Sequence, residues 1–187
     1  MKQNGIEEVI KGHEIIPVVT IENEREVEPI IERLLEDGIH IIEVTLRTHF
    51  AITGIELIKK KYGDRITVGA GTVVHIDQIE HLKRIGVDFM VSPGLSAALG
   101  DALEQSEIPF LPGVSTPSEI IECIGKGYTL LKFFPAELFG GLHALKTYGQ
   151  VFPGVRFCPT GGITQSTYLS YLDLTNVVSV GGSWMMK

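Results

Sequence analysis

Residues 109–134 read PFLPGVSTPSEIIECIGKGYTLLKFF. Two apolar runs, 109–111 and 129–134, flank a stretch that opens on a helix-start signal. Thr116 stands at the cap position and Pro117 at the first helical position. Glu119 stands where its side chain reaches back to the cap. Strand, helix, strand in that order predicts a crossover unit, which lays the two strands parallel.

The same alternation continues in both directions. Toward the N-terminus the predicted strands are 15–20, 39–46, 66–69 and 87–91, with helices at 24–37, 50–62, 75–85 and 97–105. The first of these helices has Asn23 as its cap, Ile30, Ile31, Leu34 and Leu35 on one face, and Gly38 past its end. Pro29 inside it predicts either a kink or a later start. Toward the C-terminus follow helices at 138–149 and 166–172 and strands at 155–158 and 177–180. Eight strands with helices between them predict an α/β fold, a closed (β/α)8 TIM barrel. No linker or change of composition divides residues 1–187, so one TIM-barrel domain is expected. The sequence stops just past the eighth strand, so this barrel is expected to lack its C-terminal eighth helix. That would bare apolar surface over the last and first strands, in a truncated chain or one completed by a partner subunit.

Composition narrows the function. Of 187 residues, 44% are hydrophobic and 21% charged, as in a globular core. A net charge of −7 argues against binding nucleic acid or an anionic membrane. No stretch approaches a membrane span or a signal-peptide core, and two cysteines without a CxxC pair suit a reducing cytoplasm.

In such a barrel the chemistry sits at the C-terminal ends of the strands. Lys132 lies there among Leu130, Leu131, Phe133 and Phe134. Removal from water disfavours an ammonium and favours the free, nucleophilic amine. The alternative is a lysine that snorkels to a wet strand end. In Glu43-Val44-Thr45-Leu46-Arg47, alternation puts Glu43 and Arg47 on one face. Glu43 is a candidate proton shuttle, or else one half of a structural ion pair with Arg47 or Lys132. Arg47 offers a fork suited to a carboxylate, or is a surface arginine. Thr72 either donates a hydroxyl to the same carboxylate or caps the next helix. Gly161-Gly162 and Gly181-Gly182-Ser183 follow the seventh and eighth strands, where barrels bind phosphate through backbone N–H groups. The six histidines lack metal-ligand spacing and are read as surface or capping residues. Cys123 and Cys158 are read as buried thiols.

These blocks, read in order, resemble a known family. They are Glu43-Val-Thr-Leu-Arg47, Val68-Gly-Ala-Gly-Thr72, Val91-Ser-Pro-Gly94, Lys132-Phe-Phe-Pro-Ala-Glu137, Phe157-Cys-Pro-Thr-Gly-Gly-Ile163 and Gly181-Gly-Ser-Trp184. They are similar to the 2-keto-3-deoxy-6-phosphogluconate aldolases, a family that includes enzymes acting on 4-hydroxy-2-oxoglutarate. The resemblance implies a class I aldolase, commonly a homotrimer, with no metal and no cofactor, acting on a small 2-keto acid and a phosphorylated aldehyde. By position it implies Lys132 as the imine-forming lysine and Glu43 as the acid/base. It implies Arg47 and Thr72 on the keto-acid carboxylate, and Pro93 and Phe134 along the pocket. Gly161, Gly162, Gly182 and Ser183 fall at the phosphate end. One departure is His49, where the family often has proline. Two other readings compete: a phosphate-binding barrel isomerase or decarboxylase without imine chemistry, and an inactive truncated binding protein.

Overall fold

The computed structural model describes residues 2–186; Met1 and Lys187 lie outside them. A short helix α1 (Ile6–Ile10) leads into β1 (Ile15–Val19), α2 (Val27–Glu36), β2 (Ile41–Thr45), α3 (Ala51–Tyr62) and β3 (Thr67–Gly71). Then come α4 (Ile76–Ile85), β4 (Phe89–Val91), α5 (Ala97–Gln105), β5 (Phe110–Leu111), β6 (Gly113–Val114) and α6 (Pro117–Lys126). The series continues with β7 (Leu130–Phe133), α7 (Gly141–Val151), β8 (Arg156–Pro159), α8 (Tyr168–Leu172) and β9 (Val180–Gly182). A 3-10 turn, Trp184–Met186, follows β9. The α/β alternation read from the apolar runs is present throughout.

The strands form two parallel sheets, one in the order β5-β4-β3-β2-β1-β9 and one in the order β6-β7-β8. Parallel bridges Phe157↔Val177 and Thr160↔Gly181 run between the β8 and β9 segments. On the other side the fifth predicted strand, 109–111, is present as β5 and is followed across Pro112 by a second short strand, β6. Pro112 has no N–H and cannot extend the ladder, so the chain leaves β4 after Leu111 and pairs Gly113 with Lys132 of β7. The Lys132 N–H donates to the Pro112 carbonyl at 2.8 Å. Glycine is required at 113, because a Cβ there would stand 2.3 Å from the Pro93 carbonyl carbon.

Alternation along the strands sorts the apolar residues into two layers. Ile42, Met90, Phe110, Leu131 and Phe157 pack outward against the helices. Ile41, Phe89, Val91, Leu111, Leu130 and Cys158 face inward and meet in one core drawn from both sheets. Ile6 and Ile10 of α1 join that inner core, closing it at the N-terminal ends of the strands. The sequence reading assigned nothing to this segment, since five helical residues carry too few turns for a periodic signal.

Helix starts follow the local chemistry. Glu119 Oε2 accepts from the Thr116 N–H at 2.7 Å, the reciprocal cap expected at α6. Residues 24–26 form a 3-10 turn capped by Asn23, and α2 begins at Val27. Pro29 therefore falls in the first turn, where its missing N–H costs nothing, and the later start is the one adopted. At α4 the cap is His75, with Gln78 Oε1 accepting from the His75 N–H at 2.9 Å. Thr72 is not the cap of that helix.

Candidate active site

Glu43 and Lys132 stand two residues beyond Ile41 and Leu130 on the same inward face, just above the inner core. Lys132 Nζ lies 3.0 Å from Glu43 Oε1 and 3.4 Å from Oε2, with side-chain exposures of 5% and 4%. The two residues are 89 apart in sequence, and the strands that carry them belong to different sheets. An isolated buried charge of either sign would be very costly; the pair exists because each supplies the other's partner. Of the two ion pairs considered for Glu43, the one formed is with Lys132. Lys132 Nζ also sits 5.2 Å from the centroid of the Phe134 ring.

Room for the carboxylate comes from Gly71 on β3. A Cβ at that position would be 2.1 Å from Glu43 Oε1 and 2.6 Å from its Cγ. Gly71→Ala is expected to push Glu43 off the lysine and to lower stability by about 1–3 kcal/mol, as overpacking does. Urea unfolding of the variant checks this; an unchanged midpoint would mean that the carboxylate moves aside freely.

The next shell is set by the strand ends. Arg47 donates from Nε to Thr72 Oγ1 at 3.3 Å. Thr72 has φ 61, a left-handed backbone rarely adopted by a β-branched residue. The N–H of Val73 donates to Val91 O at 3.0 Å and that of Leu46 to Gly71 O at 2.8 Å, so ladder bonds on both sides hold the strained residue in place. A cavity of about 210 Å³ brings Arg47 and Phe134 together with Gly161, Gly162, Gly182 and Ser183. Six of the expected residues thus line one space. Lys132, Glu43, Thr72 and Pro93 are not among its lining residues; the Pro93 carbonyl packs against Gly113.

Val18, Thr20, Thr160 and Ile163 complete the lining and were given no site role in the sequence reading. Position alone could have marked two of them: Thr20 ends the first predicted strand, and Thr160 directly precedes the Gly161-Gly162 pair. Thr20 Oγ1 lies 2.9 Å from Thr45 Oγ1, which ties β1 to β2 at the mouth.

The other candidate groups stay outside the chemistry. Cys158 pairs in register with Lys132 across β7 and β8, but burial pushes its thiol up to about 12, so it remains protonated and inert. Burial likewise pushes Cys123 up to about 12. None of the six histidines lines the cavity. Among the described residues no group of three or more His, Cys, Asp or Glu is placed to hold a metal ion. No helix among them is long and apolar enough to cross a membrane.

Comparison with known proteins identifies the family of the chain. The family model for KDPG and KHG aldolase matches residues 6–187. The 2-dehydro-3-deoxy-phosphogluconate aldolase of Pseudoalteromonas atlantica is 41% identical over 179 residues, covering 96% of this chain and 83% of its own. A KDPG aldolase from Legionella pneumophila, with pyruvate captured at low pH as a covalent carbinolamine intermediate, superposes with a TM-score of 0.91. It is 42% identical, and the match covers 98% of this chain and 87% of that one. The 2-keto-3-deoxy-6-phosphogluconate aldolase of Zymomonas mobilis ZM4 with 3-phosphoglycerate gives a TM-score of 0.92 at 40% identity, covering 97% and 86%. Matched in sequence and backbone over nearly its whole length, the chain belongs to the KDPG and KHG aldolase family.

Proposed function

We propose that this chain is a class I, metal-independent aldolase. It cleaves 2-dehydro-3-deoxy-6-phosphogluconate to pyruvate and glyceraldehyde 3-phosphate, and also splits 4-hydroxy-2-oxoglutarate to pyruvate and glyoxylate. The observation that carries the reading is the buried Lys132–Glu43 contact of 3.0 Å, with Nζ 5.2 Å from the ring of Phe134, which lines a cavity together with Arg47 and two glycine-rich strand ends.

In this mechanism Lys132 Nζ passes a proton to Glu43, and the free amine attacks the C2 ketone. Glu43 returns the proton to the carbinolamine hydroxyl, which leaves as water and gives a protonated imine. The C3–C4 bonding pair moves toward the iminium while Glu43 takes the C4 hydroxyl proton, so C4 departs as an aldehyde. Glu43 then delivers that proton to C3 of the enamine, and water hydrolyses the resulting pyruvate imine. With Nε on Thr72, the Arg47 guanidinium is held in one plane, and its terminal edge suits the keto-acid carboxylate. Phe134 forms an apolar wall beside the amine. The backbone at Gly161, Gly162, Gly182 and Ser183 takes the phosphate, which fixes the distance between the two ends of the substrate.

The nature of the relatives supports this assignment: one is a KDPG aldolase with pyruvate captured as a covalent carbinolamine, another a KDPG aldolase with 3-phosphoglycerate. The test is turnover of each keto acid, with released pyruvate read through lactate dehydrogenase. Both substrates are expected to yield pyruvate without added metal, also in the presence of chelator. Failure with both would sink the reading.

Residues 1–187 are further inferred to form a single domain in which the two sheets are arcs of one closed (β/α)8 barrel, β5 and β6 counting as one strand interrupted at Pro112. The two β8–β9 bridges, the Lys132–Pro112 hydrogen bond and the shared inner core support this closure. The family resemblance supports a cytoplasmic homotrimer.

A further inference from the structure

Glu137 ends the Lys132–Glu137 block and has no part in the reaction above, yet it is tied at several points to the turn that follows β8. Its N–H donates to Gly161 O at 3.1 Å, and the neighbouring Ala136 N–H donates to Thr160 O at 2.8 Å. Its side chain lies against Gly162, where a Cβ would come within 2.5 Å of Glu137 Cγ. Its Oε1 accepts a hydrogen bond from the Tyr171 hydroxyl of α8. Tyr171 is fully buried, and burial together with the carboxylate holds its hydroxyl above the usual tyrosine range, as a donor. Gly141, the first residue of α7, closes against the same pair: a Cβ there would be 2.7 Å from the Tyr171 hydroxyl and 3.3 Å from Glu137 Oε1.

The turn so held has two glycines in succession, with φ 102 and 81. Such a pair has no side chains to lock it and is the most mobile backbone that the chain can offer. Left free, it would have to be ordered by the ligand, and that ordering is subtracted from affinity. Glu137, backbone and side chain together, is what fixes it beforehand.

We propose that Glu137 and Tyr171 are positioning residues for the phosphorylated end of the substrate: they hold the Gly161–Gly162 turn in its binding shape from behind the cavity. This rests on the reading of that turn as the phosphate end of an aldolase site. Neither side chain touches the reacting carbons, so the effect falls on binding of the phosphoryl group and spares the imine chemistry.

The experiment compares wild type, Glu137→Ala, Glu137→Gln and Tyr171→Phe on the phosphorylated six-carbon keto acid and on unphosphorylated 4-hydroxy-2-oxoglutarate, with pyruvate–borohydride trapping of each. Glu137→Ala and Tyr171→Phe are expected to raise KM for the phosphorylated substrate about tenfold, the scale of one hydrogen bond to a charged group. Their kcat, their kcat/KM on the unphosphorylated substrate and their trapping stay within about twofold of wild type. Glu137→Gln keeps the acceptor and the packing and restores the wild-type KM. Equal loss on both substrates, or no rise in KM, would overturn the proposal. The underlying reading has its own control in the wild type. Absence of a pyruvate adduct there would defeat the aldolase assignment. Failure of inorganic phosphate to compete with the phosphorylated substrate would defeat the phosphate end, and the positioning role with it.

Discussion

Lys132→Ala is expected to abolish the pyruvate adduct trapped by borohydride and to lower turnover by at least roughly 10⁴-fold, the scale seen when a covalent nucleophile is removed. The size follows from the mechanism. Without the amine there is no iminium to accept the C3–C4 electron pair, and the remaining groups only bind and orient. Mass spectrometry of the intact protein after reduction reads the adduct directly. An adduct that survives the substitution would place the imine on another amine and refute the assignment. Alanine also leaves Glu43 buried without its partner, and breaking a buried pair costs about 3–5 kcal/mol. The companion variant Lys132→Met refills the inward-facing space beside Glu43, and a Lys132→Met, Glu43→Gln double variant removes the orphaned charge. All three are expected to lack the adduct, and the double variant is expected to melt highest. Loss of activity in a variant with a wild-type melt therefore reports chemistry.

Glu43→Gln separates proton transfer from imine formation. The amide keeps the shape that Gly71 accommodates and still accepts from Lys132 Nζ, but it carries no proton between oxygens and carbon. Turnover is expected to fall by about 10²–10⁴-fold, the usual contribution of a positioned acid/base. Trapping of pyruvate should fall far less, since dehydration of a carbinolamine can proceed with protons from water. Measured side by side, a large loss of turnover with most of the adduct retained supports Glu43 as the shuttle. Equal loss of both would mean that Glu43 serves only to hold Lys132 in place.

Much of the architecture was legible in local chemistry. The Thr116–Pro117–Glu119 signal places a helix start within a residue, because capping uses atoms three positions apart. Apolar runs mark strands for a similar reason, since a strand covered on both faces must be apolar along its length. Local signals failed where distant contacts decide. The fifth predicted strand, 109–111, matches β5, but the sequence reading missed β6 beyond it, because Pro112 ends one ladder where only the distant β7 offers another. Helix α1 went unassigned, because its two isoleucines acquire meaning only inside a core built from six other segments. The sequence left Thr72 open between a donor to the carboxylate and a helix cap; the cap of α4 is His75, and Thr72 Oγ1 accepts from Arg47 Nε instead.

What the sequence by itself determined is the order of elements, the inward face shared by Glu43 and Arg47, and the placement of lysine and glycine pairs at strand ends. These follow from period-two alternation and turn chemistry, which act over a few residues. Only the tertiary structure decided that Glu43 meets Lys132 and not Arg47, that Gly71 is glycine to admit a carboxylate, and that Glu137 backs the Gly161–Gly162 turn. The physical reason is range: a buried charge must find its counter-charge within about 4 Å, and the residue 89 positions away that supplies it is set by how the two sheets close around the inner core.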